Sequence, residues 1–144
     1  NLYKNERAEL IRFITDNKIE GVIFITGDRH HSEIIKKDRP GTKTQPAAYP
    51  LYDITSSPLT SGVDNILKTP EKDNPMRVPG TLAVTQNFCL FTVSGLNENR
   101  MLLIRCIDGD NKTLWEHTIY ADDLKYKTPA ESGTKGKEKK KKRK

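Results

Sequence analysis

The chain has few of the features that identify a class of protein at once. No apolar run approaches the ~20 residues that a membrane-spanning helix needs, and no basic stretch followed by an apolar one marks a secretion signal at the amino end. The 144 residues include only two cysteines, Cys89 and Cys106. Their spacing excludes a CxxC motif and a disulfide-dense fold, so we expect buried free thiols. If their strands pair in a hairpin, a disulfide in an oxidising compartment stays open.

An excess of basic residues exists only at the carboxyl end. The chain has 25 basic and 19 acidic residues, and residues 135–144 hold eight of the basic and one of the acidic ones. The preceding 134 residues therefore carry 17 basic and 18 acidic groups. The lysine-rich tail is typical of a segment that binds nucleic acid or an anionic surface weakly and with little sequence preference, or of a solvated end. Because it has no aromatic residues for base stacking, we favour the solvated end and predict disorder over residues 129–144.

A chain of this length is expected to form one domain, here over residues 1–128. Residues 5–18 place their apolar side chains on one face, which predicts an amphipathic helix on a sheet. Residues 22–25 are an unbroken apolar block, typical of a central strand covered on both faces. The chain begins without methionine and directly at this helix, from which we expect it to be the later part of a longer protein.

The rest of the chain is predicted to form two loops separated by a strand and a turn, followed by β-hairpins. Residues 35–50 and 63–80 are rich in proline and predict surface loops, the second with one helical turn near residues 64–67. Between them, residues 51–55 alternate like a strand and residues 56–62 form a turn. Short turns join the later β-segments, so these are predicted to be antiparallel neighbours. The later segments are residues 82–85, 88–93, 101–107 and 113–119. From residue 121 onward the chain is too polar to fold by itself.

Four residues able to take part in chemistry follow the apolar strand directly. Gly27 ends the strand, so Asp28, Arg29, His30 and His31 fall in the loop at its carboxyl end, where open α/β sheets bind ligands. A carboxylate and an imidazole two residues apart suit a metal ion. Arg29 suits a phosphate or an ion pair. The structural alternative is that Asp28 caps a following helix and that both histidines are surface residues.

Three other motifs favour structural roles. Residues 108–113 begin like a calcium loop, but Ile119 stands where the bidentate glutamate belongs, so a hairpin turn is predicted. His117 alternates with apolar residues and is predicted to be a structural histidine. Ser56 and Ser57 lack the Gly-X-Ser-X-Gly surroundings of a nucleophile, so we expect a turn there.

The order of the segments resembles one known family. A helix, the strand GVIFITGDRHHSEI, the strand LYDITSSPLTSG and the closing NFCLFTVSG and LWEHTI hairpins are similar to the carboxy-terminal half of the PhoD-like alkaline phosphatases, a branch of the calcineurin-like metallophosphatase superfamily. The resemblance covers about residues 5–120. It implies an α/β fold that is part of a four-layer α/β/β/α sandwich, with a mixed sheet and antiparallel carboxy-terminal hairpins. It also implies hydrolysis of phosphate mono- or diesters and an extracytoplasmic location.

The resemblance also implies roles for the loop residues. Gly27, Asp28, Arg29 and His30 match the Gly-Asp-X-His signature of this branch. By that match, Asp28 and His30 belong to a site for two divalent or trivalent metal ions (Fe, Ca, Zn or Mn) that activate the attacking water. His30 is the implied catalytic residue, and Arg29 and His31 are the implied contacts of the substrate phosphate.

The other metal signatures of the family are missing from residues 1–144. One acid and one histidine do not complete a two-metal centre. We therefore expect that the chain is inactive alone and is the carboxy-terminal part of a longer enzyme, or that it is a relative that keeps only the scaffold. The alternative from another class is a non-enzymatic, β-rich module whose basic tail binds an acidic partner.

Overall fold

A computed structural model describes residues 3–41 and 47–126 of the chain. This part consists of one α-helix, six strands and four short 3-10 helices. The longer elements are α1 Lys4–Asp16, β1 Ile23–Thr26, β2 Glu33–Arg39, β3 Ala48–Thr55, β4 Asn87–Ser94, β5 Met101–Asp108 and β6 Thr113–Tyr120. The 3-10 helices are Ile66–Lys68, Pro70–Asp73, Asn97–Asn99 and Ala121–Leu124. The tail predicted to be disordered, residues 129–144, lies outside the described residues.

The strands form two small sheets, which agrees with the predicted mixture of helix, mixed sheet and antiparallel hairpins. In the first sheet the order is β1-β3-β2, with β1 parallel and β2 antiparallel to β3. In the second the order is β4-β5-β6 and every pair is antiparallel. The predicted antiparallel pairing is confirmed for the last three segments, because turns this short leave no room for a crossover connection. Within the described residues, no helix is long and apolar enough to cross a membrane.

The two sheets share one hydrophobic core. Buried side chains alternate with more exposed ones along β4 and partly along β5 and β6, whereas β3, the middle strand, buries adjacent residues. The first sheet contributes Ile34, Tyr49, Leu51, Tyr52 and Ile54, and the second contributes Ile104, Cys106, Trp115 and Ile119. The rings of Tyr52 and His117 approach to 6.1 Å between centroids across this core. His117 is therefore part of the packing between the sheets, as predicted for a structural histidine.

The apolar strand of the sequence is not a central one. In the described part of the chain β3 lies in the middle and β1 is at the edge of its sheet, paired with β3 alone. Ile25 is 62% exposed, so the prediction of a strand covered on both faces is wrong for this part of the chain. The apolar content of residues 22–25 indicated a strand correctly, but position in a sheet depends on which other segments pair with it.

Three boundaries also differ from the prediction. The predicted loop at residues 35–50 contains most of β2 and the start of β3, because pairing with β3 holds the charged residues of β2 in a strand. Pro50 is accommodated beside the break in register between Lys37 and Arg39, where a missing N–H costs little. Residues 82–85 form one isolated bridge, from Ala83 to Ser32, rather than a strand. Residues 121–124 are folded as a 3-10 helix that buries Leu124, although their polarity predicted an unstructured end.

The predicted amino-terminal helix is present as α1, but it packs loosely. Ile14 is its one buried residue, while Phe13 on the predicted apolar face is 59% exposed. Arg39 holds the end of the helix, since its guanidinium donates to Thr15 Oγ1 at 3.0 Å and to the carbonyl of Tyr49 at 2.8 Å. The helix therefore lies on the first sheet through its last turn, and a groove of about 400 Å³ separates its first turns from β1 and β3.

Candidate functional site

The candidate site is the loop between β1 and β2, at the carboxyl end of β1. Because β1 and β3 are parallel, the segment after β3 reaches the same edge of the sheet. Ser56 N donates to the carbonyl of Thr26 at 3.0 Å, which joins the two segments directly after their strands. The sequence alone placed the first segment at such an edge, and the structure adds the serines of the second segment to it.

The backbone of the loop is held in an uncommon conformation. Asp28 and His30 have φ angles of 67° and 55°, a left-handed region in which residues other than glycine are uncommon, although Asp and His enter it more readily than most. Two bonds fix His30: its N–H donates to Ser57 Oγ at 3.2 Å, and its carbonyl accepts from Asp64 N at 2.9 Å. No helix follows the loop, so the alternative in which Asp28 is a helix cap is wrong.

The side chains of Asp28 and His30 take no part in the hydrogen bonds that hold the loop. Asp28 is exposed and His30 is half-buried. In the part of the chain that the structure describes, neither side chain has a hydrogen bond or an ion pair. Their carboxylate and imidazole are therefore available to a ligand, while the main chain between them is fixed.

The side chain of Arg29 reaches the short helix Pro70–Asp73. Its guanidinium forms an ion pair with the carboxylate of Glu71, and both side chains are about half exposed. The pair borders an open depression of about 670 Å³, which is also lined by His31, Asp64 and Thr69. An exposed pair of this kind contributes little to stability, so Arg29 can exchange Glu71 for another anion at small cost.

His31 is in a different environment from His30. Its side chain is almost fully buried, with Nδ1 2.8 Å from the carbonyl of Arg29 and Nε2 3.3 Å from Glu33 Oε1. The second approach has the distance of an ion pair but lacks hydrogen-bond geometry. Of the four predicted site residues, His31 is thus the one whose side chain is most fully occupied by contacts within the protein.

Glu33 connects His31 to a buried arginine that sequence reasoning did not select. Arg77 Nε donates to Glu33 Oε2 at 2.7 Å, and its other two nitrogens donate to the carbonyls of Lys72 and Glu71. Burial alone would raise the pKa of Glu33, but the close approach of His31 and the hydrogen bond and charge of Arg77 together outweigh it and lower this pKa. The loop and the segment 71–77 are therefore joined by a buried ionic network. The available signal in the sequence was the spacing of a histidine and an acid two residues apart, just before β2 and at its first residue.

The serines after β3 have structural roles. Ser57 N donates to Ser32 Oγ at 2.9 Å, and Ser32 Oγ lies 2.5 Å from Asn87 Oδ1. Ser56 Oγ accepts from Cys89 N at 2.9 Å. These bonds connect the turn at residues 56–58 with the loop on one side and β4 on the other, in agreement with the predicted turn.

The DGDNKT motif is a hairpin turn between β5 and β6, as predicted. Asp108 Oδ1 accepts from the backbone N–H groups of Asp110 and Lys112, at 3.0 and 2.9 Å. Asn111 supplies the left-handed residue of this turn, with a φ angle of 62°. The carboxylate of Asp108 is therefore used by the turn itself.

Residues 3–41 and 47–126 hold no group of three or more His, Cys, Asp or Glu side chains that could bind a metal ion. Asp28 and His30 are thus brought to one edge without a third ligand of these types among the described residues. Comparisons of the chain with models of protein families, with curated proteins and with solved structures each gave no match.

Proposed function

We propose that this chain supplies part of the metal site of a metal-dependent phosphoric ester hydrolase, of the PhoD-like kind that its sequence resembles. The observation that carries the proposal is the conformation of Asp28 and His30. Each left-handed residue costs about 1–3 kcal/mol and persists only where its surroundings impose it, which occurs preferentially at functional sites. Here Ser57 and Asp64 hold the backbone of His30 in this conformation, and among the described residues the side chains of Asp28 and His30 have no structural partners.

The donor atoms suit the proposed metals in part. A carboxylate oxygen and an imidazole nitrogen are ligands for Fe, Zn and Mn, and the carboxylate is a ligand for Ca. Two donors fill only part of one coordination sphere, and the described residues form no group of three His, Cys, Asp or Glu side chains that could complete it. The proposal therefore places the remaining ligands outside the described residues, and it predicts that the chain alone has no hydrolase activity.

Each residue of the loop has a proposed role. Cations bound there would neutralise the oxygens of the ester and lower the pKa of the attacking water. Asp28 and His30 would hold them, and His30 is also the proposed catalytic residue beside the reacting group. Arg29 would leave Glu71 to pair with the substrate phosphate. The contact of His31 with that phosphate stays a prediction, since its ring would first have to leave Glu33.

We also propose that the two sheets are part of a larger, four-layer fold. In a four-layer α/β/β/α sandwich, further strands would extend the first sheet beyond β1. The open edge of β1 and the 62% exposure of Ile25 support that arrangement, because an uncovered apolar edge strand is otherwise a site of unwanted pairing. The extracytoplasmic location is likewise proposed from the resemblance alone.

Hydrolysis of a chromogenic phosphate monoester and a chromogenic diester tests the proposal. The protein encoded by the whole reading frame that contains this chain is assayed with and without a chelator. We expect metal-dependent activity, and a loss of about 100-fold or more in kcat for Asp28→Asn and for His30→Asn. Asparagine is chosen because it tolerates the left-handed conformation, so the loop should keep its shape.

Asp110→Asn is the matched control for Asp28→Asn. Asp110 is an exposed acid in the β5–β6 turn, and its substitution should leave activity unchanged. Full activity of the Asp28 variant, or activity that survives chelation, would contradict the proposed metal site. An inert protein that binds an acidic partner only when residues 129–144 are present would favour the non-enzymatic module.

A further inference from the structure

The inner face of the second sheet carries two thiols side by side. Cys89 on β4 is directly opposite Cys106 on β5 in the antiparallel register. Directly opposite residues point to the same face of a sheet. Both cysteines are free, with Cys106 fully buried and Cys89 half-buried. A small reagent can therefore approach Cys89, and Cys106 lies beside it on the protected side.

The hydrogen bonds identify the type of strand pair. Cys89 N donates to Ser56 Oγ at 2.9 Å, so this N–H does not bond to Cys106. Cys89 and Cys106 are therefore a non-hydrogen-bonded pair, in which the Cα atoms are about 4.5 Å apart and the side chains are closer than in the other type. That separation falls within the range of about 4.4–6.8 Å found for disulfides. The register therefore places the two cysteines where a disulfide bond can join them.

The surroundings make the two thiols unequal. A hydrogen bond from Cys106 lowers the pKa of the Cys89 thiol to about 7, against the opposing effect of burial. The same hydrogen bond, together with burial, raises the pKa of Cys106. Cys106 Sγ also lies 3.2 Å from Asn87 Oδ1, which provides a second acceptor for its proton. Cys89 is thus both the more accessible thiol and the one that ionises first.

We propose that Cys89 and Cys106 are a redox-active pair that a peroxide converts to an intramolecular disulfide. In the first step the Cys89 thiolate attacks one peroxide oxygen, the O–O bond breaks, and a sulfenic acid and a hydroxide form. In the second step the sulfur of Cys106 attacks that of Cys89, the S–S bond forms and the S–O bond breaks. The departing hydroxide takes the Cys106 proton. In total, two thiols lose two electrons and two protons, and hydrogen peroxide becomes two molecules of water.

The test uses the full chain, reduced and then treated with hydrogen peroxide at neutral pH. We expect the loss of both free thiols in a titration with a thiol reagent, a mass lower by two hydrogen atoms, and a monomer on a non-reducing gel. A reductant should restore both thiols. Two thiols that persist under peroxide, or a disulfide that joins two chains, would overturn the proposal.

A matched control moves one thiol by a single position. In the double variant Cys89→Ser, Leu90→Cys, the new thiol lies on the opposite face of the sheet from Cys106. Leu90 is 41% exposed, so this substitution should not disturb the core. The double variant keeps two cysteines but should form no intramolecular disulfide. Equal bridging in this variant would show that the register of the pair is not responsible.

Single variants test the order of the two steps. In Cys106→Ser the sulfenic acid cannot be resolved, so a sulfenic-acid reagent should label Cys89. Cys89→Ser leaves only Cys106, which is fully buried and whose pKa is raised by burial. Because oxidation requires an accessible thiolate, Cys89→Ser should be labelled several-fold more slowly than Cys106→Ser. Faster labelling of Cys89→Ser would overturn the assigned order, and circular dichroism confirms that each variant is folded. If Cys106→Ser fails to fold, Cys106→Ala replaces it.

Discussion

Replacing Glu33 by glutamine should destabilise the protein strongly, because it breaks a buried ion pair and leaves one partner in place. Glu33 is 3% exposed, and its carboxylate accepts from Arg77 Nε at 2.7 Å. Removal of one member of a buried pair costs about 3–5 kcal/mol. Arg77 keeps its bonds to the carbonyls of Lys72 and Glu71, so we expect a loss near the lower end, about 3 kcal/mol.

Urea unfolding followed by circular dichroism measures this loss. Glu71→Gln is the matched control, because it removes the same group from an ion pair with Arg29 whose members are about half exposed. An exposed pair contributes at most about 1 kcal/mol. If the two variants lost equal stability, the buried network at Glu33 would not be what fixes the loop to the segment 71–77.

The same network predicts a dependence of stability on pH. Despite burial, the close approach of His31 and the hydrogen bond and charge of Arg77 lower the pKa of Glu33 in the folded state below the ordinary value of 4.5. The unfolded chain therefore takes up the proton first as the pH falls. The stabilisation from Glu33 is complete above the unfolded pKa and is lost as the pH falls below about 4.5 toward the folded value. Unfolding curves of Glu33→Gln should lack this component, and an unchanged acid slope would refute the assignment.

Four substitutions, two in the turns of the second sheet and two in strands of the first sheet, are expected to change stability by different amounts. Gly95→Ala should cost more than about 1 kcal/mol, since Gly95 has a φ angle of 79° and an added Cβ would lie 2.2 Å from the carbonyl oxygen of Asn99. Gly109→Ala, in open space, should be nearly neutral in the same thermal melts. Ile34→Ala should cost about 2–5 kcal/mol because Ile34 is fully buried. Ile25→Ala, at an exposed position, should lower stability by less than about 1 kcal/mol in chemical unfolding, and a larger effect would indicate that the β1 edge is covered in solution.

Local patterns in the sequence determined most of the elements. Helix α1 follows from the spacing of its apolar residues, and the β4–β5–β6 hairpins follow from alternating segments joined by short turns. Gly27 predicted the end of β1 and so placed residues 28–31 in a loop. These features depend on interactions between residues close in sequence, which is why the sequence alone is sufficient for them.

Only the tertiary structure decided the position of β1, the strand character of β2 and the surroundings of the loop. The apolar run at residues 22–25 was equally compatible with a central strand, and the charged residues of β2 form a strand only because β3 lies beside them. His30 and His31 are neighbours in the sequence. His30 is half-buried and its side chain has no partner among the described residues, whereas His31 is buried against Glu33. That difference comes from residues 57, 64 and 77, which are distant in the sequence, because burial and ionic partners are properties of the packed chain.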